Sequence, residues 1–323
     1  MKEKKVVCFG VDVSKDKLDI VSSDGEYFQV LNTKAGFKKL VSKMLLSDYV
    51  VLEATGYYHY QLAYFLLEHN CLVSVANSLS VKRFIQMSLS KVKTDKSDAK
   101  MICEYGVKVE QKWWAGHSKN QQKCLQLLSL VDTYQKQMTM IKNKLHGEKV
   151  LCVPSKDVFQ YLNQTLKHLQ KQIVKLELKL EILVKQEYQK ELTLLESIPG
   201  FGRKTSMFLL VITDGFNRFE KGSQLCSFAG ITPVRRTSGI SVRGKERISK
   251  VGNRKLRNLL FLCSLNACKY NRSCKALYDR IVSKGKSKKL ALLAVCNKLL
   301  KQAFSIVKSG LPYAADFVSV KPA

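Results

Sequence analysis

The sequence has no run of 18 or more apolar residues, and its charged residues 1–5 lead directly into a short strand-like segment. A membrane-spanning helix needs about 20 predominantly apolar residues, so we predict neither a membrane span nor a signal peptide. Prolines number only five in 323 residues, while apolar residues (46%) and charged residues (25%) are at globular levels. These proportions exclude a collagen-like, low-complexity or wholly disordered chain. The length predicts about two domains.

Paired cysteine motifs are also missing. The ten cysteines form no CxxC pair, have no histidine at zinc-site spacing, and lie mostly inside apolar runs. Zinc sites and disulfide frameworks depend on such spacings, so neither is predicted. We expect free thiols in a reducing cytoplasm.

Acidic residues are scarce, because 26 of them face 55 lysines and arginines, for a net charge of +29. The excess is largest in residues 201–323, which contain 25 basic and five acidic residues. Such charge predicts a polyanionic partner. Membrane binding usually needs a basic amphipathic helix with an aromatic apolar face, and none stands out. Nucleic acid is therefore the predicted partner, and a membrane is not.

Residues 1–112 are predicted to form an α/β domain with the order βββαβαβ followed by a helix. β-Branched and apolar runs predict strands at residues 6–13, 17–22, 27–31, 49–53 and 71–76. Helical spacing occurs at residues 36–46 and 58–68.

Glycine and proline almost disappear from residues 121–196, where Gly147 and Pro154 are the only ones. Seven apolar residues there repeat in steps of four and three: Leu162, Leu166, Leu169, Ile173, Leu176, Leu180 and Leu183. This a/d seam predicts a coiled-coil helical segment over residues 113–196, which would join copies of the chain into a dimer or tetramer. The seam would equally fit a helix that packs on its own chain, with residues 121–149 as the antiparallel partner.

Residues 197–323 are predicted to form a mainly helical C-terminal domain. Residues 195–205 have the pattern of a helix-hairpin-helix, with Gly200 and Gly202 in the turn and Arg203 and Lys204 after it. The backbone N–H groups of such a turn bind a DNA phosphate. A plain glycine-containing turn between two helices would have the same residues.

Four carboxylates stand at the ends of predicted elements. Asp12 and Glu53 each end a buried strand, and Asp95 and Asp98 open a helix at positions i and i+3, on one helix face. Four converging carboxylates repel each other, and two Mg²⁺ ions would balance their charges and could polarise a phosphodiester. Each acid alone would also fit a turn or a helix cap. Two further acids nearby are expected to lie on the surface: Asp16 and Asp19.

Residues 235–257 contain nine basic residues and one acidic residue. Together with Arg203 and Lys204, the nine are predicted to contact nucleic acid: Arg235, Arg236, Arg243, Lys245, Arg247, Lys250, Arg254, Lys255 and Arg257. Ser238 and Ser241 lie among them. A serine that attacks phosphate needs guanidinium groups to neutralise it and a flexible backbone for close approach. A loop that only binds phosphate would use the same residues.

In their order along nearly the whole chain, five motifs resemble a family of bacterial insertion-sequence transposases. They are GVDVSK at residues 10–15, LEATG at 52–56, KTDKSDA at 93–99, IPG at 198–200 and FAGITP at 228–233. That family has an RuvC-like acidic domain and a C-terminal serine domain. Its members are also described as bridge-RNA-guided recombinases and are related to Piv-type DNA invertases.

The resemblance implies an RNase H-like (RuvC-like) N-terminal fold and a catalytic Mg²⁺ site at Asp12, Glu53, Asp95 and Asp98. It also implies a serine nucleophile that forms a phosphoserine linkage to DNA, and a guide RNA that pairs with donor and target DNA. We assign the nucleophile to Ser238, which precedes Gly239. Many relatives have two adjacent serines there, whereas this chain has Thr237 and Ser238, so Ser241 stays an alternative.

The expected protein is thus a bacterial, cytoplasmic, RNA-guided DNA transposase or recombinase. Two other functions stay open from the sequence. An RNase H-like acidic domain would also suit a Holliday-junction resolvase or nuclease that hydrolyses DNA with water. A non-enzymatic, basic nucleic-acid-binding protein would have the charge without any use for the acids.

Overall fold

The structure, a computed structural model, describes residues 6–54, 56–89, 94–234, 237–238, 242–244 and 247–315. The chain divides into two compact units, Met1–His117 and Ser118–Ala323. Residues of the helical segment, such as Val184, belong to the same hydrophobic core as residues of the C-terminal segment, such as Leu256. Residues 118–196 therefore pack in one core with residues 197–323, and residues 113–117 belong to the first unit. The division into residues 1–112, 113–196 and 197–323 stays a prediction.

The first unit contains a five-stranded sheet and four helices. Its strands are β1 (Cys8–Val13), β2 (Lys17–Ser22), β3 (Tyr27–Leu31), β4 (Tyr49–Glu53) and β5 (Leu72–Ala76). Its helices are α1 (Lys34–Val41), α2 (His59–Glu68), α3 (Ser78–Met87) and α4 (Asp95–Lys108). The strand order is β3-β2-β1-β4-β5, antiparallel from β3 to β1 and parallel from β1 to β5. The predicted α/β character and element order are confirmed.

Helices cover both faces of this sheet, which is why its central strands are apolar in almost every position. Successive side chains of a strand point to opposite faces. On one face Val11 packs in a cluster with Phe37 of α1 and Leu62 of α2. On the other face Cys8 packs in a cluster with Ile102 of α4. The carboxylates at the strand ends therefore lie beside a dry core.

The second unit is mainly helical. Its helices are α5 (Lys119–Val150), α6 (Lys156–Glu196), α7 (Arg203–Thr213), α8 (Gly222–Ala229), α9 (Arg254–Tyr270), α10 (Arg272–Ser283) and α11 (Lys288–Ser309). Four two-residue strands lie between α8 and α9: β6 (Pro233–Val234), β7 (Thr237–Ser238), β8 (Val242–Arg243) and β9 (Arg247–Ile248). These strands were not expected from the sequence, since two residues are too few to show a period.

The heptad seam of α6 lies within the chain. Leu169, Ile173 and Leu180 are buried, and α6 packs against α5, as the intrachain interpretation of the seam requires. The structure therefore gives the seam a partner in its own chain and provides no support for self-association through it. A dimer or tetramer stays a prediction.

One helix in the described part of the chain, α11, is long and apolar enough to cross a membrane by length and composition alone. Core helices pass the same test. Val295, Leu299 and Leu300 of α11 are buried in the core of the second unit, and α11 packs against α8, α9 and α10. Its apolar residues are thus used in packing.

Candidate active site and nucleic-acid surface

Asp12 and Glu53 lie side by side at one edge of the sheet. Strands β1 and β4 are parallel, with Val11 paired to Leu52, so the next residue of each strand is Asp12 and Glu53. Paired residues of parallel strands point to the same face of a sheet. Both side chains are half-buried. Strand pairing alone therefore brings two of the four predicted acids together.

Helix α4 adds the other two acids because it packs closely on β1. A Cβ atom at Gly10 would lie 2.2 Å from the backbone nitrogen of Cys103 and 2.6 Å from the carbonyl oxygen of Ala99, so only glycine permits this approach. Helix α4 runs against the direction of β1, since Cys103 is also hydrogen-bonded to Cys8 at the start of the strand. Its first turn, which contains Asp95 and Asp98, therefore faces the end of β1.

The N-terminus of α4 is fixed by its own cap. The Thr94 side chain accepts a hydrogen bond from the Ser97 backbone nitrogen, and the Ser97 hydroxyl bonds back to the Thr94 nitrogen, which forms a capping box. Such a cap stabilises a helix start by about 1 kcal/mol. It also holds the first turn, and with it Asp95 and Asp98, in a defined orientation.

Burial and neighbouring negative charge raise the pKa of Asp12 to about 6. Desolvation is the largest cause, followed by the charges of Asp98, Asp95, Glu53 and Asp19. The charges of the other three predicted acids thus act on Asp12. This is direct support for the convergence that the sequence could only suggest.

Asp19 is a fifth acid of this cluster, and its predicted surface position is wrong. It is only 3% exposed and lies opposite Asp12 in the antiparallel pairing of β1 and β2. Its Oδ1 accepts hydrogen bonds from the Tyr27 hydroxyl (2.7 Å) and the Gln29 amide (3.0 Å). The signal in the sequence was its place inside an apolar strand. Asp16, in contrast, is exposed as expected.

The four acids suit a divalent cation in chemistry, because Mg²⁺ prefers carboxylate oxygens and their mutual repulsion calls for positive charge. They do not form a closed ligand set as they stand. Among the described residues, no three histidine, cysteine, aspartate or glutamate side chains are grouped closely enough to hold a metal ion. The fit is therefore one of donor type and charge.

The raised pKa of Asp12 predicts how stability depends on pH in metal-free protein. The folded-state pKa lies above the unfolded value, so the folded state loses stability as pH rises from about 4 through 6. Asp12→Asn removes that loss and should be more stable than wild type by about 1 kcal/mol at pH 7.5, a value reduced because the side chain is partly solvent-exposed. Urea unfolding in EDTA at pH 5 and pH 7.5 measures this, and an equal difference at both pH values would contradict it.

Ser238 lies on a small β-hairpin of the second unit. Strand β7 pairs antiparallel with β8, with Ser238 opposite Val242 and Thr237 opposite Arg243. The strand partner of the predicted nucleophile is therefore Val242, and Arg243 is paired with the preceding residue. Other predicted residues of this segment lie outside the described residues: Ser241, Arg235, Arg236 and Lys245.

The base of this hairpin is anchored by backbone pairing and by Gly230 of the FAGITP motif. Strand β6 pairs with β9, and the backbone nitrogens of Ser249 and Lys250 bond to the carbonyls of Thr232 and Gly230. Gly230 has φ +69°, and a Cβ there would lie 2.6 Å from the Val251 carbonyl oxygen. The glycine of the FAGITP motif is therefore required for the hairpin to leave the helical body at this place.

The basic residues divide into two groups. Four make contacts inside the chain. Arg203 binds Glu196 (2.8 Å) and Glu181 (3.1 Å), and Lys204 binds Glu177 (2.7 Å). Lys255 binds Asp132 (3.2 Å), and Arg257 donates to the Ala229 carbonyl (3.0 Å).

The other group is exposed: Arg247, Lys250 and Arg254. These three side chains can contact a phosphate without giving up a partner within the described residues. For Arg203 and Lys204 such contact would mean exchanging carboxylate partners on α6, which weakens the helix-hairpin-helix interpretation. Gly200 of that turn has φ +106° and a Cβ there would lie 2.9 Å from backbone atoms of Ala267, so its glycine is explained by packing.

Comparison with known proteins found a family match in each of the two units. Residues 9–150 match a transposase family, DEDD_Tnp_IS110, and residues 192–279 match the Transposase IS116/IS110/IS902 family. The pilin gene-inverting proteins of Moraxella lacunata and Moraxella bovis are each 28% identical over 317 residues, which cover 94% of this chain and 96% of each relative. The transposase for insertion sequence element IS1111A of Coxiella burnetii is 24% identical over 333 residues, 92% of this chain and 88% of the relative.

The family matches thus identify transposase domains in both units, and a transposase is an enzyme that acts on DNA. More particularly, the chain contains the transposase domains of the IS110 family and is homologous to the pilin gene-inverting proteins and IS1111 transposases. This implies that it cuts and rejoins DNA. A DEDD transposase domain also indicates the use of a divalent metal.

Proposed function

We propose that this protein is a Mg²⁺-dependent, RNA-guided DNA recombinase that cuts and rejoins DNA through a phosphoserine intermediate. The observation that carries the proposal is the position of Asp12 and Glu53 at the adjacent ends of parallel strands β1 and β4, with Asp95 and Asp98 in the first turn of α4, which packs on β1. The raised pKa of Asp12, caused first by desolvation and then by these charges, agrees with it. Negative charges that raise the pKa of a half-buried carboxyl lower the stability of the fold. Their presence is explained if they serve the cleavage of a phosphodiester.

The first unit is assigned to the RNase H-like class. Support comes from the strand order β3-β2-β1-β4-β5, with an antiparallel meander leading into parallel strands. Further support is the position of the acids at the ends of two neighbouring central strands, β1 and β4.

In the proposed site Asp12, Glu53, Asp95 and Asp98 would hold two Mg²⁺ ions. When bound, such a pair supplies charge stabilisation at the attacking and leaving oxygens of a phosphoryl transfer. The carboxylates themselves would orient and hold the cations. Helix α4 holds two of these carboxylates, Asp95 and Asp98, at the end of β1. Asp19, with its own hydrogen-bond partners Tyr27 and Gln29, adds negative charge beside them.

Ser238 would act as the nucleophile. Its Oγ bonds to the scissile phosphorus and releases its proton to solvent, while the bond from phosphorus to one deoxyribose oxygen breaks and that oxygen takes up a proton. In the joining step a deoxyribose hydroxyl of the partner strand attacks the phosphoserine and frees the serine. Both steps exchange one phosphoester for another, so they need no oxidant and no net hydrolysis.

The charge of the protein supports guidance by RNA. A net charge of +29 exceeds what a short DNA site requires, and A-form duplexes are bound mainly through backbone contacts. The experiment uses nuclease-treated protein with donor and target DNA in Mg²⁺, with and without RNA transcribed from its own element. We expect recombination only with RNA. Equal recombination without it would refute guidance and leave the DNA chemistry standing.

A further inference from the structure

A cavity of about 770 Å³ lies in the second unit beside the β6–β9 strand pair, which flanks the hairpin that contains Ser238. Its walls come from α8, from the β6–β9 strand pair and from the first half of α11. Small-molecule sites in proteins usually measure about 300–1,000 Å³. The cavity is thus large enough for a ligand of nucleotide size, and the proposed serine chemistry makes no use of it.

The wall of the cavity is aliphatic. Ile231 and Ile248 come from its strand side, and Leu290, Leu293 and Ala294 come from α11. Leu290 is 40% exposed, so apolar surface here is left in contact with water. Covering such surface with a flat apolar group is favourable by about 25 cal/mol per Å².

The rim of the cavity is cationic. Arg247 and Lys250 line it from the hairpin base, and Lys289 and Lys301 line it from α11. None of these four forms an ion pair with a described carboxylate, unlike Arg203 and its neighbours. The described lining residues include no acid. A ligand with an apolar body and negative charge at its edge matches this arrangement.

Two polar features at the wall add to the match. Thr232 lies in the wall, and its buried hydroxyl has no hydrogen-bond partner among the described residues. Ser287, also in the wall, is the N-cap of α11. The positive end of the helix dipole there favours an anion.

We propose that this cavity receives one unstacked base of the DNA strand that the enzyme cuts, with the flanking phosphates bound by Arg247, Lys250, Lys289 and Lys301. The base is the flat apolar body, and the phosphates are the charged edge. The chain limits the distance to the serine, since Pro233 in the cavity wall and Ser238 are five residues apart, at most about 18 Å along the chain. The cavity thus lies within a few nucleotides of the phosphate that Ser238 would attack. The inference uses the proposed function only to identify the strand as DNA.

The test is a fluorescence measurement on the full chain. A single-stranded oligoadenylate DNA containing one central 2-aminopurine is dim while the base is stacked, and its emission rises when the base leaves the stack. An aliphatic cavity has no ring to quench it. Saturating protein should therefore raise emission several-fold, and Ala294→Glu, which adds a carboxylate to the cavity wall, should bind DNA at saturation without that rise. Ser238→Ala protein without Mg²⁺ should behave as wild type, so the result is independent of strand cleavage.

Matched lysines on α11 test the rim. Lys289 and Lys301 line the cavity, while Lys288 and Lys298 on the same helix are not among its lining residues. The double variant Lys289→Gln with Lys301→Gln should reduce the slope of log binding constant against log salt concentration by the equivalent of about two phosphate contacts. The control, Lys288→Gln with Lys298→Gln, should reduce that slope by the equivalent of less than one contact. Circular dichroism confirms that each variant is folded.

Three results would overturn the proposal. They are an undiminished emission rise in folded Ala294→Glu protein, equal losses in the two lysine pairs, and a rise with the matching RNA but none with DNA. Loss of recombination in Ser238→Ala with a normal emission rise would instead separate the cavity from the chemistry and support both. An emission rise in wild-type protein that forms no covalent adduct with DNA would uphold the cavity and count against the proposed nucleophile.

Discussion

Replacing Asp12, Glu53, Asp95 or Asp98 with the matching amide should lower DNA strand cleavage by more than about 100-fold while the protein stays folded. Loss of a group that only supports a metal ligand already costs about 10–100-fold, so loss of a ligand should cost more. Folding should survive because the four carboxylates repel each other. Removing one charge should therefore stabilise the folded state.

Cleavage of end-labelled DNA on denaturing gels, with Mg²⁺ and with EDTA, measures this effect. The matched control is Asp16→Asn, since Asp16 is an exposed acid in the turn that follows β1 and outside the proposed ligand set. It should cleave DNA at the wild-type rate. Full activity in EDTA, or in two of the four amide variants, would show that the acids do not bind a catalytic metal.

Much of the first unit was predictable because its strands are long and apolar. Runs of consecutive buried residues, four in β1 and three in β4, require a strand covered on both faces. The residues at their ends then meet by strand pairing. The approach of α4 was not predictable, because it depends on the contact between Gly10 and Cys103, which are far apart in sequence.

Asp19 shows the limit of judging a carboxylate by its residue type. Acids are mostly exposed, but Asp19 belongs to the central part of the sheet and is satisfied by Tyr27 and Gln29 of the neighbouring strand. The short turn at Asp24 and Gly25 predicts the strand register that brings Asp19, Tyr27 and Gln29 together. Its burial depends on packing by α4, which the local sequence does not contain.

In the second unit, the sequence predicted which helix face is buried but not which residues contact it. An a/d seam states that a helix face is buried, and only the structure shows that α5 covers Leu180. The acids that bind Arg203 and Lys204 lie on α6, up to 27 residues before them. Charge counts could not reveal that these two cations already have partners.

Ser238→Ala should form no covalent protein–DNA adduct, whereas Ser241→Ala should still form one. Ser238 precedes Gly239, as in the resemblance that suggested it, and its backbone is paired with Val242, which fixes the position of its Cα atom. Alanine lacks the hydroxyl that would bond to phosphorus and fits a strand with little loss of stability, so the loss of adduct should be complete. The measurement is a denaturing gel of radiolabelled DNA in which the adduct shifts the band and protease removes the shift.

The same gel separates a recombinase from a nuclease that uses water. A nuclease would yield cut strands without an adduct, and it would cut equally well in Ser238→Ala protein because the attacking oxygen would come from solvent. The proposed chemistry yields an adduct that depends on both Ser238 and the four acids, so Asp12→Asn protein should lack it too. If Ser241→Ala loses the adduct and Ser238→Ala keeps it, the nucleophile is Ser241, and the pairing of β7 with β8 positions the loop that carries it.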